Sequence, residues 1–506
     1  MLELGIDLGT SSIKVSVVDS ATRKPIASAQ YPDSEVGIIS LRNGWAEQSP
    51  DQWWEHVRQA IRKCNAAGLY DPKDIAAIGI AYQMHGLVLV DKQQKVIRDS
   101  IIWCDSRAVD IGNTAFESIG GERCLSRLLN SPGNFTASKL AWVKENEPGQ
   151  YERIDKVLLP GDFIALRLTG EATTTPSALS EGVLWDFVAH DLSADVTRYF
   201  GFDASLFPEV RPVFSDHGRL RSGIADDLSL TAGIPVTYKA GDQLNNALSL
   251  HVLEPGEVAA TAGTSGVIYG VSDKLEYDQQ SRINSFAHVN HEEEDHRIGI
   301  LLCINGAGIF NRWVRDTFGG NASYQSLNEA ATAIRPGAEG LLAIPFGNGA
   351  ERMLNNRIVG ASLHGLDLNI HTAAHLVRAA QEGIAFAFRY GLDIMKDNGL
   401  EPSVIRAGRA NMFLSDVFAQ AFVNATGVPV ELCQSDGSIG AAIGAGIGAG
   451  HFSAADLSGS RQVIRIIEPD KARTYDHLYE GWKSLLERQL AGDAQTSDQK
   501  HISLTN

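Results

Sequence analysis

Two short apolar runs open the chain, Leu2 to Leu8 and Ile13 to Val18, separated by the small polar residues Gly9-Thr10-Ser11-Ser12. Apolar runs of this length bounded by turn residues predict a β-hairpin, with a further turn at Asp19 to Lys24 and a third strand near Pro25 to Ala29. The period then changes from strand to helix. Ser49-Pro50 supplies an N-cap and a first-turn proline, Trp54, Val57, Ile61 and Cys64 recur at helical spacing, and Gly68 closes the segment. Ile75 to Ala81 and Leu87 to Val90 are apolar throughout, the pattern of strands buried on both faces. Ser222 to Leu230 is polar, Ile234 to Tyr238 is strand-like, and Gln243 to Leu253 fits a helix before Pro255-Gly256 interrupts the chain.

After that break the opening plan returns. Glu257 to Ala262, the turn Gly263-Thr264-Ser265-Gly266, and Val267 to Val271 repeat the strand, Gly-Thr-Ser turn, strand order of residues 2 to 18. The repeat predicts a two-copy α/β architecture, each copy a mixed sheet covered on its faces, with a boundary near residue 254. The expected domains are 1–253 and 254–490, followed by a polar, loosely ordered tail over 491–506. In the second half Leu376, Ala380, Ile384, Ala387, Gly391 and Ile394 form a helical stripe closed by Asn398-Gly399. A second helix runs from the cap Ser415 through Val417, Phe418, Ala421 and Phe422 to Gly427, and Val428 to Leu432 follows as a strand. Gly440, Gly444 and Gly448 recur every four residues, which on a helix gives a smooth face for close packing or for a flat ligand.

Composition narrows the function. The 506 residues carry 44 Lys+Arg against 61 Asp+Glu, a formal net charge of −17, which disfavours a nucleic-acid or anionic-membrane partner. Small phosphorylated ligands stay compatible, because backbone N–H groups at turns and helix starts hold phosphate whatever the overall charge. The uncharged stretch Gly437 to Ala455 is too rich in glycine to span a bilayer, and the acidic first residues do not resemble a secretory leader. Cys64, Cys104, Cys124, Cys303 and Cys433 are odd in number and widely spaced, so no disulfide framework or CxxC metal site is expected. A cytoplasmic location follows as the expectation.

Asp7 stands at a predicted strand end beside Gly9, Thr10 and Ser11. That pairing offers phosphate N–H and O–H donors and gives a magnesium ion a carboxylate, and it equally describes a capped hairpin turn. The second turn, Gly263-Thr264, could grip the same polyphosphate from the other copy. No Gly-Lys dipeptide occurs, so there is no Walker A loop, and no G-x-G-x-x-G fingerprint follows a strand. Asp242 follows a predicted strand and begins a helix at the domain junction. It reads either as an N-cap or as a base for a hydroxyl that attacks a γ-phosphate. Gln83-Met84-His85-Gly86 and Trp103-Cys104-Asp105-Ser106-Arg107 each mix hydrogen-bonding groups with flat apolar surface, the chemistry of a sugar or polyol site. His288, His291 and His296 lie among acids at non-helical spacing and read as a solvated loop.

From Leu2 to Leu486 these motifs, in this order, resemble the FGGY family of carbohydrate kinases. Gly5 to Lys14 is similar to the family's first phosphate motif, Gly263 to Gly266 to its second, and Gln83 to Gly86 to the sugar motif of its members that act on D-xylulose. The resemblance implies two ribonuclease H-like domains of the actin and sugar-kinase superfamily, with a ligand cleft between them that takes ATP, Mg²⁺ and a sugar. It implies Asp242 as catalytic base, and Gln83, Met84, His85, Trp103, Asp105, Asp242 and Gln243 at the sugar. Thr10, Ser11, Gly263, Thr264, Gly308, Gly408, Arg409 and Asn411 are implied at the nucleotide, and Asp7 at the metal. The implied reaction is ATP-dependent phosphorylation of D-xylulose. Ribulose, gluconate or glycerol are the alternative acceptors, and a nucleotide-driven protein of the same superfamily without kinase activity is the alternative class. A homodimer is the assembly this allows. Two departures stand out: Tyr82 replaces the usual glycine before the sugar motif, and Lys239-Ala240-Gly241-Asp242-Gln243 replaces Gly-Gly-Gly-Asp-Asn.

Overall fold

A computed structural model describes residues 1–459, 462–470 and 474–503. The first half is built on β1 (Leu2–Leu8), β2 (Ile13–Asp19), β3 (Pro25–Tyr31), α1 (Pro50–Ala66), β4 (Ile75–Tyr82), a short α2 (Pro176–Glu181), β5 (Val236–Gly241) and α3 (Asp242–Ser249). The second contains β6 (Glu257–Ala262), β7 (Gly266–Ser272), β8 (Asn284–Ala287), β9 (Ile298–Ile304), α4 (Gly308–Phe318), α5 (Ala373–Asp397), β10 (Val404–Gly408), α6 (Asp416–Thr426), β11 (Val430–Cys433), α7 (Gly437–Gly448), β12 (Val463–Ile467) and α8 (Thr474–Ser503).

The two main sheets share one topology. In the first the strand order is β5-β4-β1-β2-β3, with β1, β2 and β3 antiparallel and β4 and β5 parallel to β1. In the second, β9-β7-β6-β10-β11 repeats the central hairpin flanked by parallel strands, and β8 and β12 extend its edges. The duplicated Gly-Thr-Ser turn is thus the local trace of a duplicated sheet, each copy joining its first two strands.

Sequence periodicity located most of these elements, and the differences have local causes. On α1 the side chain facing the core is Trp53, 3% exposed, with Val57, Ala60, Ile61 and Cys64; the adjacent Trp54 lies on the flank, because the apolar face begins one residue earlier than the pattern indicated. The polar stretch from Ser222 is helical over Ser222–Leu228. The tail expected to be irregular continues α8 as far as Ser503. Among the described residues no helix is long and apolar enough to cross a membrane. The loop after β8 is only partly solvated: Glu292 to Asp295 are exposed, but His288 is buried, within 2.8 Å of the Tyr269 hydroxyl and 3.1 Å of the Val252 carbonyl.

One helix crosses the expected boundary. α7 belongs by sequence to the second half but packs on β1, β2, β4 and β5 of the first sheet and on α3. Small residues make this approach close. A Cβ at Gly5 would lie 1.9 Å from the Ser438 carbonyl oxygen, one at Gly79 2.0 Å from that of Ala441, and one at Gly444 2.5 Å from the Tyr238 ring. The four-residue glycine spacing therefore serves helix-on-sheet contact.

Candidate active site

Three chain segments converge where β1, β4 and β5 end, the usual ligand edge of parallel strands. Asp7 is near the end of β1, Gln83 to Gly86 follow β4, and Asp242 follows Gly241, the last residue of β5, as the first residue of α3. The side chain of Met84 and the carboxylate of Glu181, at the end of α2, both press on Gly241. A Cβ there would lie 2.7 Å from Met84 Cγ and 3.2 Å from Glu181 Oε2.

His85 is held in one orientation and one tautomer. Its ring Nδ1 lies 2.8 Å from the Glu181 carbonyl oxygen, so Nδ1 carries the donated proton and Nε2 is left as an acceptor. Its backbone N–H donates to Glu181 Oε2 at 3.2 Å, and the Lys139 ammonium donates to its carbonyl at 2.9 Å. Burial, reinforced by the Lys139 charge, pushes its pKa down to about 3, so the imidazole is neutral at physiological pH. Its φ of 60° is an uncommon backbone state for a residue other than glycine, maintained here by these contacts. Tyr82 is fully buried behind Glu181, its hydroxyl donating to Glu181 Oε1 at 2.5 Å. Burial, with the Asp242 and Asp162 charges, raises Glu181 well above the usual carboxylate range despite these hydrogen bonds.

The other residues expected at the sugar form a supporting network. Gln83 Nε2 donates to Gln48 Oε1 at 3.1 Å, and Gln48 Nε2 donates to the Thr10 carbonyl at 2.8 Å. The Thr10 hydroxyl accepts from the Trp103 indole at 3.0 Å and donates to Gln83 Oε1 at 3.3 Å, so this side chain, expected at phosphate, is engaged with sugar-side neighbours. Trp103 itself is 52% exposed. Asp105 is buried and bound to protein groups. Its buried carboxylate accepts from the Ala46 N–H at 2.6 Å and from the Arg107 guanidinium at 2.7 Å, and Arg107 also lies 3.8 Å over the Trp45 ring. It ties together the loops carrying Trp45 and Trp103. Gln243 hydrogen-bonds Asp242 through both its backbone and its side chain.

The nucleotide residues separate into two groups. Gly263, Thr264, Gly308 and Asn411 line one cavity of about 360 Å³ with Asn311, Tyr324 and Gln381. The start of α4 is pinned to the second Gly-Thr turn: the Gly308 N–H donates to the Gly263 carbonyl and the Ile309 N–H to that of Thr264, both at 3.0 Å. Gly408 and Arg409 stand outside that lining, at the end of β10, where the Arg409 N–H donates to the Cys433 carbonyl at 3.0 Å. Ser11 is exposed on the first turn, its carbonyl accepting from the Val36 N–H at 2.9 Å.

Electrostatics single out the carboxylates between these regions. Burial pushes Asp242 up to about 6, against the opposing hydrogen bonds from Gln243. Burial, then the charges of Asp242 and Asp436, push Asp7 up to about 7, with Lys14 opposing. Asp436 caps α7, accepting from the Ser438 N–H at 2.9 Å, and the absence of a side chain at Gly437 admits Asp7: a Cβ there would be 2.4 Å from Asp7 Oδ2. Sequence reasoning missed Glu181, Lys139 and Asp436. Only the cap pattern Asp436-Gly437-Ser438 before the glycine-rich helix offered a local cue; the other two arrive by tertiary folding.

One sheet topology present twice, with acidic residues at its strand ends, defines the mixed α/β fold of the sugar kinases and actin. Comparison with known proteins specifies the family. The N-terminal domain model of the FGGY family of carbohydrate kinases matches residues 2–249 and its C-terminal domain model residues 258–449, and the chain belongs to this family. It is 30% identical over 405 residues to a xylulose kinase of Bacillus subtilis, covering 78% of each chain. It is 29% identical over 489 residues to one of Klebsiella pneumoniae, covering 94% of each. The crystal structure of a xylulose kinase from Brucella ovis superposes with a TM-score of 0.88 at 29% identity, covering 97% of this chain and all of that one.

Proposed function

We infer that this protein is a xylulose kinase, transferring the γ-phosphoryl group of ATP to the terminal hydroxyl of D-xylulose. The observation that carries the reading is the wall formed by Met84 and the fixed His85 beside Asp242, at the strand ends of a fold whose relatives are xylulose kinases. His85 Nε2 is suited to accept a hydrogen bond from a sugar hydroxyl, and Met84 offers an apolar surface to the sugar's C–H face. Asp242, ionised above about pH 6, accepts the proton of the attacking hydroxyl. The cavity lined by Gly263, Thr264, Gly308 and Asn411 suits the nucleotide, and the Gly263-Thr264 turn supplies N–H and O–H donors for its phosphates.

Mg²⁺ is commonly bound through one or two carboxylates, waters and substrate phosphates. Asp7, whose pKa is raised first by burial and then by the neighbouring Asp242 and Asp436, is the carboxylate that would hold the ion. When bound, Mg²⁺ supplies positive charge to the transferring phosphoryl group. Closure of the two halves excludes water and favours transfer to sugar over hydrolysis.

The test is ADP release from magnesium-ATP with D-xylulose, L-xylulose, D-ribulose, L-ribulose, gluconate and glycerol. Strong stimulation by D-xylulose is the expected result. Stimulation by another acceptor alone would move the substrate assignment while keeping the mechanism. No stimulation by any of them would refute the kinase reading.

A further inference from the structure

Arg352 is a cation whose place in the fold the mechanism above leaves unused. It begins a single helical turn, Arg352–Leu354, in the second half of the chain, and its guanidinium lies 5.7 Å over the ring of Phe135 from the first half. The Phe135 ring in turn meets the His85 ring edge-on at 4.8 Å. Among the described residues Arg352 makes no ion pair and donates no side-chain hydrogen bond, although its neighbourhood is crowded enough that burial pulls its guanidinium below the ordinary arginine value. Its charge reaches His85 on one side and the thiol of Cys303 on the other, and Cys303 also senses Asp242. The preceding residue is committed elsewhere. Glu351 is fully buried and accepts from the backbone N–H groups of Asn305 at 3.0 Å and Gly306 at 2.8 Å, which fixes the turn that presents Arg352.

Arg352 is half-buried, and its five guanidinium donors, unpaired within the described residues, are left to water and to any ligand that displaces it. The ring it lies over, Phe135, packs on the sugar-motif histidine, and the base Asp242 is within electrostatic range of the neighbouring thiol. We propose that Arg352 is a sugar-contacting residue supplied by the second half of the chain, donating guanidinium hydrogen bonds to oxygens of the sugar that lies against Met84 and His85. It thereby makes sugar affinity depend on both halves of the molecule. The proposal rests on the kinase reading above.

The test compares the full-length wild type with Arg352→Gln and Arg352→Lys, measuring KM for D-xylulose, KM for ATP, kcat, direct D-xylulose binding by calorimetry, and thermal unfolding. Loss of charge-assisted hydrogen bonds predicts sugar affinity weakened by about tenfold or more in Arg352→Gln and partly restored in Arg352→Lys, with KM for ATP within about twofold of wild type. Unchanged sugar affinity, or equal weakening toward sugar and ATP, would overturn the proposal. Should Arg352→Gln fail to fold, the wild type still decides. Cys303 is solvent-exposed and within electrostatic range of Arg352, and its thiol is pushed up to about 11, so at alkaline pH saturating D-xylulose should slow its alkylation by iodoacetamide, read by peptide mass spectrometry. An unchanged alkylation rate would count against sugar at this position. Failure of the kinase reading shows separately, as wild-type protein that neither binds D-xylulose nor releases ADP in its presence.

Discussion

On the proposed mechanism Asp242 and Asp7 are two acids of one type with different tasks, Asp242 as proton acceptor and Asp7 at the metal. Asp242→Ala removes the proton acceptor while leaving the nucleotide cavity intact, so kcat should fall by about 10²–10⁴ with ATP binding retained, as read by steady-state kinetics and nucleotide titration. A pKa of about 6 places the acid limb of the kcat/KM profile near pH 6, below which Asp242 is protonated. Burial sets this limb, opposed by Gln243; Asp7 at about 7, Glu181 well above the usual carboxylate range and the Cys303 thiol at about 11 are still largely protonated there, and Asp242 ionises before them. For Asp7 the sign of the stability effect is opposite to that of a salt-bridged carboxylate. Its folded pKa of about 7 exceeds the ordinary 3.8, so between those values the folded chain keeps a proton that the unfolded chain has lost. The favourable contribution is complete below pH 3.8, declines as pH rises through the window, and is gone above about 7. Asp7→Asn should therefore raise the unfolding temperature by a few degrees at pH 8 without magnesium or nucleotide and have little effect at pH 4, measured by scanning calorimetry.

At the scale of elements, the decisive feature is how closely α7 lies on the first sheet. Gly79→Val would push a branched side chain into the Ala441 carbonyl, whose oxygen lies 2.0 Å from the position of even a Cβ. Overpacking of this kind costs roughly 1–3 kcal/mol, more where backbone must shift, and it should also displace Gly437 and with it the seat of Asp7. Resistance to urea and activity should fall together in that variant. Such elements are legible in the sequence because each carries its own period: alternating turns and apolar runs mark the paired hairpins, a 3.6-residue stripe marks α1, and the four-residue glycine spacing marks α7. The site is legible only in part. Met84, His85, Asp242 and the Gly263-Thr264 turn sit in short motifs. Glu181, Lys139 and Arg352 reach the cleft from distant segments through pairings that no local pattern records. The Trp103 to Arg107 motif points to Asp105 as a residue of consequence, but its partners, Ala46 and Arg107, make it a tie between loops.

For the whole molecule, the exchange of α7 across the boundary changes what a division at residue 254 would produce. Residues 1–253 contain β1, β4 and β5 but not the helix that covers them, so the isolated fragment would expose the trough around Gly5 and Gly79 and leave Tyr238 without the close face of Gly444. Residues 254–506 would in turn carry α7 without its sheet. Two sequence repeats can each be a topological unit without being a folding unit, because the buried surface that stabilises one is contributed by the other. The expected outcome is that fragment 1–253, expressed alone, lacks a cooperative thermal transition and exchanges its β1 and β4 amides rapidly, while co-expression with 254–506 restores both protection and ADP release. Autonomous, cooperative folding of 1–253 would show that α7 is dispensable to the first sheet. The same exchange explains why the cleft chemistry couples the halves. α7 begins at Asp436-Gly437 beside Asp7, and α3 begins at Asp242, so each helix linking the halves starts at an acidic residue of the site. On the proposed mechanism, rotation of one half on the other would move Asp7 and Asp242 relative to the cavity proposed for the nucleotide, which ties the reaction to closure.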